Sequence, residues 1–338
     1  MESAERMEPT SLLTVKNLRT HFHTRAGVVK AVDDVSFSVN EGETLGLAGE
    51  SGSGKSITCL SIVRLVPRPA GRIVSGQILF QGEDLLSRRE EEMVNWRGSK
   101  IGMILQDPLM SLNPVYTIGN QVSEPFWFES KRTGKNGSRE TVREKVVNIL
   151  KSVRIPSPEQ RLKDFPFQFS GGMRQRTAAA MAMAGAPKLL IADEPTTALD
   201  VTIQDQFLCL LKEIQAQRKM GMIFVTHDLG IVAEICDRVA IMYAGRIVEY
   251  GGVHRIFEAP AHPYTKALLR ALPKMGTRKK RLNQIVGEPP NLANLPPGCS
   301  FHPRCPSVMD VCRRDYPPAS GVGHEDWAAC WLLRHREV

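Results

Sequence analysis

The sequence predicts an α/β fold: a parallel sheet core with an antiparallel β-subdomain, a helical subdomain and a Cys- and Pro-rich C-terminal extension. Three observations carry this. Short apolar runs of buried-strand length, "ETLGLAG" (43–49), "KIGMILQD" (100–107), "KLLIAD" (188–193), "MIFVTH" (222–227) and "RVAIMY" (238–243), alternate with segments of helical spacing. The N-terminal stretches "LLTVKNL" and "KAVDDVSFSV" instead alternate apolar with polar residues, as half-exposed antiparallel strands do. After Pro260 the chain becomes Pro-rich and irregular, and four of its seven cysteines crowd into the last forty residues.

The remaining elements follow in order. "GKSITCLSIVRLV" has helical spacing, and "GQILFQGEDLL" (76–86) reads as a hairpin or an edge strand. From Pro114 to Arg176 the pattern is helical and polar, with "RTGKNGSR" (132–139) as an exposed loop. Cys59, Cys209 and Cys236 sit singly among apolar residues and are expected to be buried and structural. No repeat of about 20–50 residues and no low-complexity tract is present.

Length and composition bound the function. The chain has 338 residues, 42% of them hydrophobic and 24% charged, so a sizeable core is expected with no large disordered part. The net charge is +8, but aromatics are only 6% and none interleaves with a basic stretch, so no nucleic-acid partner is expected. No window holds the ~18 consecutive apolar residues of a membrane span. Residues 1–10 are polar and acidic, without the apolar centre of a signal peptide. A cytoplasmic protein is expected, with any membrane role exercised through partners.

Residues 49–56, "GESGSGKS", match G-x-x-x-x-G-K-[ST] between a predicted strand and a predicted helix. Glycines let the backbone turn tightly, so that several N–H groups converge on phosphate oxygens. The helix N-terminus adds a positive field. The sites of this loop are Gly49, Ser51, Gly52, Ser53, Gly54, Lys55, Ser56 and Ile57, with Lys55 on the β- and γ-phosphates and Ser56 on Mg²⁺. A chance match in a chain of this size arises roughly once in a hundred, given Gly at about 7% of residues.

Asp193 and Glu194 follow the strand 189–192. Asp193 is placed to hold Mg²⁺ and Glu194 to polarise an attacking water as general base. Such pairs are mostly surface features; the preceding apolar run and the distance past the phosphate loop raise this one. His227 ends the next strand. A lone His is usually structural, but ligands of open α/β sheets bind at carboxyl ends of strands, so a contact to the γ-phosphate is expected.

Gln106 after "GMIL", the run Phe169-Ser170-Gly171-Gly172-Met173, "LLIADEPTTALD" (189–200) and His227, in that order, resemble the nucleotide-binding subunits of ABC transporters. The likeness covers about residues 12–260. It implies a P-loop, RecA-like core, a helical subdomain at about 107–186, and ATP with Mg²⁺ as ligands. It further implies that Gln106 touches Mg²⁺ or water and senses the membrane partner. Ser170, Gly171 and Gly172 would cap the γ-phosphate bound by another subunit, and Asp200 would cross the dimer interface. Phe22 is the candidate to stack on adenine. Phe169 and Met173 depart from the commonest signature, while the Ser-Gly-Gly centre is intact. Read without the phosphate loop, Ser170 would be only a helix cap.

"QDPLMSLNPVYTIGNQ", "FSGGMRQR", "DEPTTALDVTIQ", "HPYTKALL" and the tail "PPGCSFHPRCP" narrow the resemblance to the dipeptide/oligopeptide (and nickel) uptake ATPases, closer to the D-type subunit than to its F-type partner. This implies a complex with a second, F-type-like ATPase, two transmembrane permeases and an extracytoplasmic binding protein, with this chain peripheral on the cytoplasmic face of the inner membrane. A nickel or other small-solute importer is the alternative. A domain boundary is expected near 260, separating a cassette (1–260) from an extension (261–338). The segment 109–119 would help receive a permease helix, or simply pack within the helical subdomain; "TRKKR" (277–281) is a solvated run or lies near lipid headgroups. Soluble ABC ATPases of DNA repair insert long coiled coils that are missing here, where only about 115 residues separate Ser56 and Ser170 without sustained heptads.

The terminal cysteines are spaced Cys299-x5-Cys305-x6-Cys312-x17-Cys330. In a cytosolic chain this argues against disulfides and for thiolates on an Fe–S cluster or Zn²⁺, although no pair has the short gap of common zinc modules. His302 could enter a zinc version. The resemblance implies a [4Fe–4S] cluster in at least some family members; zinc and free thiols remain open.

Overall fold

A computed structural model describes residues 11–25, 27–107, 111–134, 138–272, 284–323 and 325–334. The chain divides into two units: Met1–Val39, Thr44–Leu86 and Val225–Val338 form the first, and Asn40–Glu43 and Ser87–Phe224 the second. Residues 109–110 and the run 277–281 lie outside the described residues.

The first unit begins with β1 (Leu13–Thr24) and β2 (Gly27–Val39), paired antiparallel. Their alternation buries Leu13, Val15, Leu18, Val35, Phe37 and Val39 and leaves the intervening residues wetter, as the sequence pattern predicts. β3 (Thr44–Ala48) is buried throughout and leads into α1 (Lys55–Ile62). β4 (Gly71–Phe80) and β5 (Glu83–Asp84) form a hairpin. β4 is not an edge strand: the sheet order is β2-β1-β4-β5, with β4 pairing along β1.

The second unit carries α2 (Glu90–Trp96) and β6 (Ile101–Ile104). A helical stretch follows: α3 (Ile118–Thr133), α4 (Arg139–Ser152), α5 (Pro158–Arg161) and α6 (Gly171–Met183). The expected loop at 132–139 is shorter than its sequence suggests. α3 runs to Thr133 and stops at Gly134, a left-handed C-cap, and Ser138 caps α4. β7 (Leu189–Asp193) pairs in parallel with β6. α7 (Val201–Arg218) and β8 (Gly221–Thr226) come next, and the last two residues of β8 belong to the first unit. Of the three single cysteines expected to be buried, Cys59 is buried, Cys236 is only half-buried, and Cys209 is exposed. Cys209 is the clear correction. Its apolar neighbours Leu208 and Leu210 are buried, but at 100° per residue chain neighbours do not share a helix face.

The first unit resumes with α8 (Leu229–Ile235), β9 (Arg238–Tyr243) and β10 (Arg246–Gly252). β9 pairs in parallel with β3 and antiparallel with β10. α9 (Val253–Glu258) and α10 (Pro263–Ala271) follow. The tail adds β11 (Ala319–Gly321), β12 (Trp327–Ala329) and α11 (Trp331–Arg334), with single 3₁₀ turns at His302–Arg304 and Asp310–Arg313. The extension is therefore less irregular than its proline content predicts. β12 pairs antiparallel with β10, and β11 with β12.

Packing ties this tail inward. Phe301 is 1% exposed and joins Tyr243, Tyr264 and Ile256 in one apolar cluster. Glu249, fully buried, accepts from the backbone amides of Ala261 (2.8 Å) and His262 (2.9 Å) and pairs with Arg255, which also reaches Asp326 at 3.3 Å. A buried carboxylate satisfied at both oxygens fixes the start of α10 against β10.

Candidate functional site

Residues 49–56 of the first unit link β3 to α1. Gly49 (φ 154°) and Gly54 (φ 105°) occupy backbone regions that side chains disfavour. Space also excludes a side chain: a Cβ at Gly49 would lie 2.2 Å from the Met242 carbonyl oxygen, and one at Gly54 2.2 Å from that of Ala31. The loop is thus moulded against backbone. The Gly245 amide donates to the Ser53 carbonyl at 2.9 Å and so braces it further. Gly54 opens α1 with no side-chain cap, so the first amides of the helix are not claimed by a capping oxygen.

Lys55 is 4% exposed and its Nζ donates to the carbonyls of Gly49 (2.8 Å) and Glu50 (3.0 Å). The ammonium folds over the loop it belongs to. Ser53 is also 4% exposed, and its hydroxyl is buried without a hydrogen-bond partner. Burying such a group costs about 1–3 kcal/mol unless a ligand satisfies it. An orphaned hydroxyl and a buried ammonium in one loop of left-handed glycines are what a polyphosphate would complete. Ser51 and Gly52 are exposed; Ser56 and Ile57 are half-buried on the first turn of α1.

Other expected residues lie in the same unit. His227 is exposed just past β8, ahead of Asp228, whose carboxylate caps α8 by accepting from the Gly230 amide at 2.7 Å. Phe22 is half-buried on β1 opposite Gly71, where a Cβ would meet the Phe22 ring at 2.8 Å. The ring is therefore seated partly by packing.

In the second unit, the Gln106 side-chain amide donates to Glu194 Oε2 at 3.0 Å. Eighty-eight residues separate the pair. Thr197, which the sequence reading passed over, donates its hydroxyl to the same oxygen at 3.2 Å. Glu194 has φ 44°, a left-handed conformation uncommon for a non-glycine residue, and strain of that kind concentrates at functional sites. Asp193 is 4% exposed at the end of β7. Two donors aimed at one carboxylate oxygen fix its orientation, as the positioning of a water would require.

Ser170 caps α6, accepting from the Met173 amide at 3.3 Å. A Cβ on Gly172 would come within 2.6 Å of Ile203 Cγ2, so glycine there permits close approach of α7. Gly171 has no such crowding and is exposed. Asp200 caps α7, accepting from the Ile203 amide at 3.1 Å. Two exposed helix N-termini thus present capped amides, the second of them just past the Glu194 turn in sequence.

The four terminal cysteines belong to the first unit. Cys312 and Cys330 are buried, and Cys299 and Cys305 are half-buried; the Cys299 amide donates to the Cys312 carbonyl at 2.9 Å. Burial pushes the Cys299 and Cys330 thiols up to about 11, and neighbouring cysteines push the same way. No three of these sulfurs lie within 4.8 Å of one another.

Two residues that bear on the loop escaped the sequence reading, Arg304 and Tyr264. Arg304 pairs with Glu50 at 2.7 Å, and the Tyr264 hydroxyl accepts from the Glu50 amide at 2.9 Å. The only sequence signal was their place in "HPRCP" and "HPYTKALL".

Comparison with known proteins assigns the chain. The family described as "ABC transporter" matches residues 32–197, and "Oligopeptide/dipeptide transporter, C-terminal region" matches 248–312. The chain is 49% identical to a putative peptide import ATP-binding protein of Brucella ovis, over 98% of this chain and 99% of the relative. It is 48% identical to the oligopeptide transport ATP-binding protein OppD of Bacillus subtilis (96% and 89%) and 47% identical to the dipeptide transport ATP-binding protein DppD of Escherichia coli (91% and 92%). Among solved structures it resembles a dimeric bacterial ABC transporter cassette with a TM-score of 0.63 at 26% identity, covering 71% of this chain and 98% of that one. A post-hydrolysis state of a dimeric ATP-binding cassette, bound to ADP and Pi, gives 0.62 at 26% identity with the same coverage. The phosphate loop, the Glu194 turn and the Ser-Gly-Gly helix start therefore sit on an ABC ATPase cassette, and the chain belongs to the ABC transporter family, in the branch that carries the oligopeptide/dipeptide C-terminal region.

Proposed function

We propose that this chain binds MgATP and hydrolyses it to drive uptake of di- or oligopeptides by an ABC importer. The carrying observation is the phosphate loop, where a buried Lys55 and an orphaned Ser53 hydroxyl await an anion. Lys55 and the amides at 52–56 bind the β- and γ-phosphates. Ser56, Asp193 and Gln106 hold Mg²⁺, directly or through water. Glu194 polarises the attacking water, His227 steadies the γ-phosphate, and Phe22 stacks on adenine. Ser170, Gly171, Gly172 and Asp200 act in trans, on the ATP of a second, F-type-like ATPase. Exposure of both helix starts supports that role, because a surface that covers another protomer's nucleotide must be free to receive it.

In this reading residues 1–260 are the cassette and 261–338 the extension. Two permeases and an extracytoplasmic binding protein complete the complex, with this chain on the cytoplasmic face of the inner membrane. Among the described residues no helix is long and apolar enough to cross a membrane, which supports attachment through partners. Exposed Val115 and Tyr116 offer apolar contact to a permease. The peptide names of three relatives favour peptide over nickel as cargo.

The cysteines would hold a [4Fe–4S] cluster rather than Zn²⁺. Tetrahedral zinc at about 2.3 Å from each sulfur would draw its thiolates to about 3.8 Å apart, closer than any three of these sulfurs come. A cluster takes one iron per thiolate and so does not require the sulfurs to meet at a single metal. Thiols raised to about 11 stay protonated near neutrality unless a cation claims them. Iron and sulfide content after anaerobic purification, read against zinc content, decides.

The hydrolytic assignment is tested by Glu194→Gln in the assembled transporter. ATP binding is expected to persist while turnover falls about 10²–10⁴-fold. Turnover near the wild-type rate would remove Glu194 from its role.

A further inference from the structure

The second residue of the phosphate loop is an anion, placed where an anionic ligand must bind. Glu50 is held at three points. Its amide donates to the Tyr264 hydroxyl at 2.9 Å, and its carbonyl accepts from Lys55 Nζ at 3.0 Å. Its carboxylate takes both arms of the Arg304 guanidinium, Oε2 from Nη1 at 2.7 Å and Oε1 from Nη2 at 3.0 Å. This is the two-pronged pairing that fixes both position and orientation of a carboxylate.

Arg304 is itself fixed before it meets Glu50. Its side chain is 5% exposed. Its Nε donates to the Val286 carbonyl at 3.2 Å, Nη2 to that of Ile285 at 3.4 Å, and Nη1 to the Tyr243 hydroxyl at 3.3 Å. Tyr243 and Tyr264 pack on each other and on Phe301, with ring centroids 4.6 to 5.3 Å apart. The guanidinium is thus mounted on a rigid aromatic seat, three residues past Phe301 and next to Cys305.

We propose that Arg304 is a positioning residue for nucleotide binding: it neutralises Glu50 and ties the phosphate loop to the C-terminal extension. Without it, a carboxylate on the loop repels the incoming phosphates and competes for the Lys55 ammonium. Like charges brought together in a partly buried site are costly, and screening by solvent is weak there. The extension would then set nucleotide affinity through a single ion pair.

This rests on the reading of residues 49–56 as the nucleotide loop, and the test separates the two. ATP affinity and the KM and kcat for MgATP are measured on the full-length chain, with turnover taken in the assembled transporter. Arg304→Ala is expected to weaken ATP binding and raise KM about tenfold or more, with kcat at saturating ATP within about twofold. Adding Glu50→Gln should bring affinity back to within about threefold of wild type, because the stranded charge is gone. A merely structural role for Arg304 would lower unfolding stability in step with affinity, so denaturant titration of each variant is read beside ATP binding, and lost affinity at unchanged stability is expected. Where Arg304→Ala yields no soluble chain, Arg304→Met, which keeps the apolar stem, is compared with and without Glu50→Gln. Wild-type affinity in the single variant, or a double variant as weak as the single, overturns the proposal. Lys55→Ala is the control: ATP binding that survives it refutes the loop assignment itself, whereas a silent Arg304 beside a dead Lys55→Ala refutes only the positioning role.

Discussion

The phosphate loop and the turn after β7 are built on opposite plans. The loop is moulded against neighbouring backbone: Gly49 and Gly54 lie where a single added carbon would strike a carbonyl, and its lysine and one serine are buried. The turn at 193–200 is held by side chains. Gln106 and Thr197 both reach Glu194, and Asp200 caps the next helix, largely in reach of solvent. Backbone moulding makes a rigid receptor that exists before ligand arrives. Side-chain tethers make an arrangement that can be re-paired. A group that must bind phosphate gains from the first plan, and one that must engage water and a second protomer gains from the second.

The largest way to break this contrast is Gly54→Ala. It places a Cβ 2.2 Å from the Ala31 carbonyl at φ 105°, and neither the backbone atom nor the dihedral can yield cheaply. ATP affinity should fall about 100-fold, the size of about 3 kcal/mol of local strain; an affinity near wild type, measured by calorimetric titration, would show that the loop is not moulded as described.

A middle-sized test probes the packed seat beneath the loop through pH. His262 is fully buried, and burial with nearby Lys266 lowers its pKa from the ordinary 6.5 to about 3. Its Nδ1 accepts from the Tyr264 amide at 3.0 Å and so needs the neutral ring. Above about pH 6.5 both folded and unfolded chains leave this ring uncharged, and its contribution is fully present. As pH falls below 6.5 the unfolded chain takes up a proton that the folded chain refuses, so stability is lost towards pH 3 at up to about 1.4 kcal/mol per pH unit. His262→Asn keeps an acceptor and should flatten this slope in denaturant titrations at pH 7 and pH 5.5. An unchanged slope would mean the ring is protonated in the fold.

The smallest effect belongs to the tethered side. Ser170→Ala removes the acceptor for the Met173 amide and should cost about 1 kcal/mol or less of stability, because the cap is exposed and water can replace it. A stability loss of about 3 kcal/mol, the strain expected for a side chain forced against backbone, would place the signature helix in the moulded class.

Much of this was legible in the chain itself. Buried runs gave β3, β7, β8 and β9 nearly to the residue, and β6 with three residues too many at its end, since continuous apolar stretches of that length have few other uses. Residues 49–56 were legible because phosphate chemistry demands glycines and a lysine at short spacing, whereas Gln106, Ser170, Gly171, Gly172 and Asp200 were legible only through the resemblance to ABC transporter subunits. What escaped detection was of two kinds. Cys209 reads as apolar by its chain neighbours, while the helix turns it outward. Thr197 and Arg304 act through partners that local pattern cannot reveal; Arg304 meets Glu50 across 254 residues. The strands β11 and β12 are too short to show a period, and only pairing makes them strands, β11 with β12 and β12 with β10.

That last pairing has a consequence for how the molecule is handled. β10 would otherwise present a row of open amides and carbonyls, and such rows recruit stray strands from other molecules. Here the polypeptide shields it with its own final segment, fastened by Asp326, which accepts from the Gly252 amide at 3.0 Å. The family region ends at 312, yet the shield lies beyond it. A clone trimmed to that limit would keep every nucleotide motif and lose its guard against self-association.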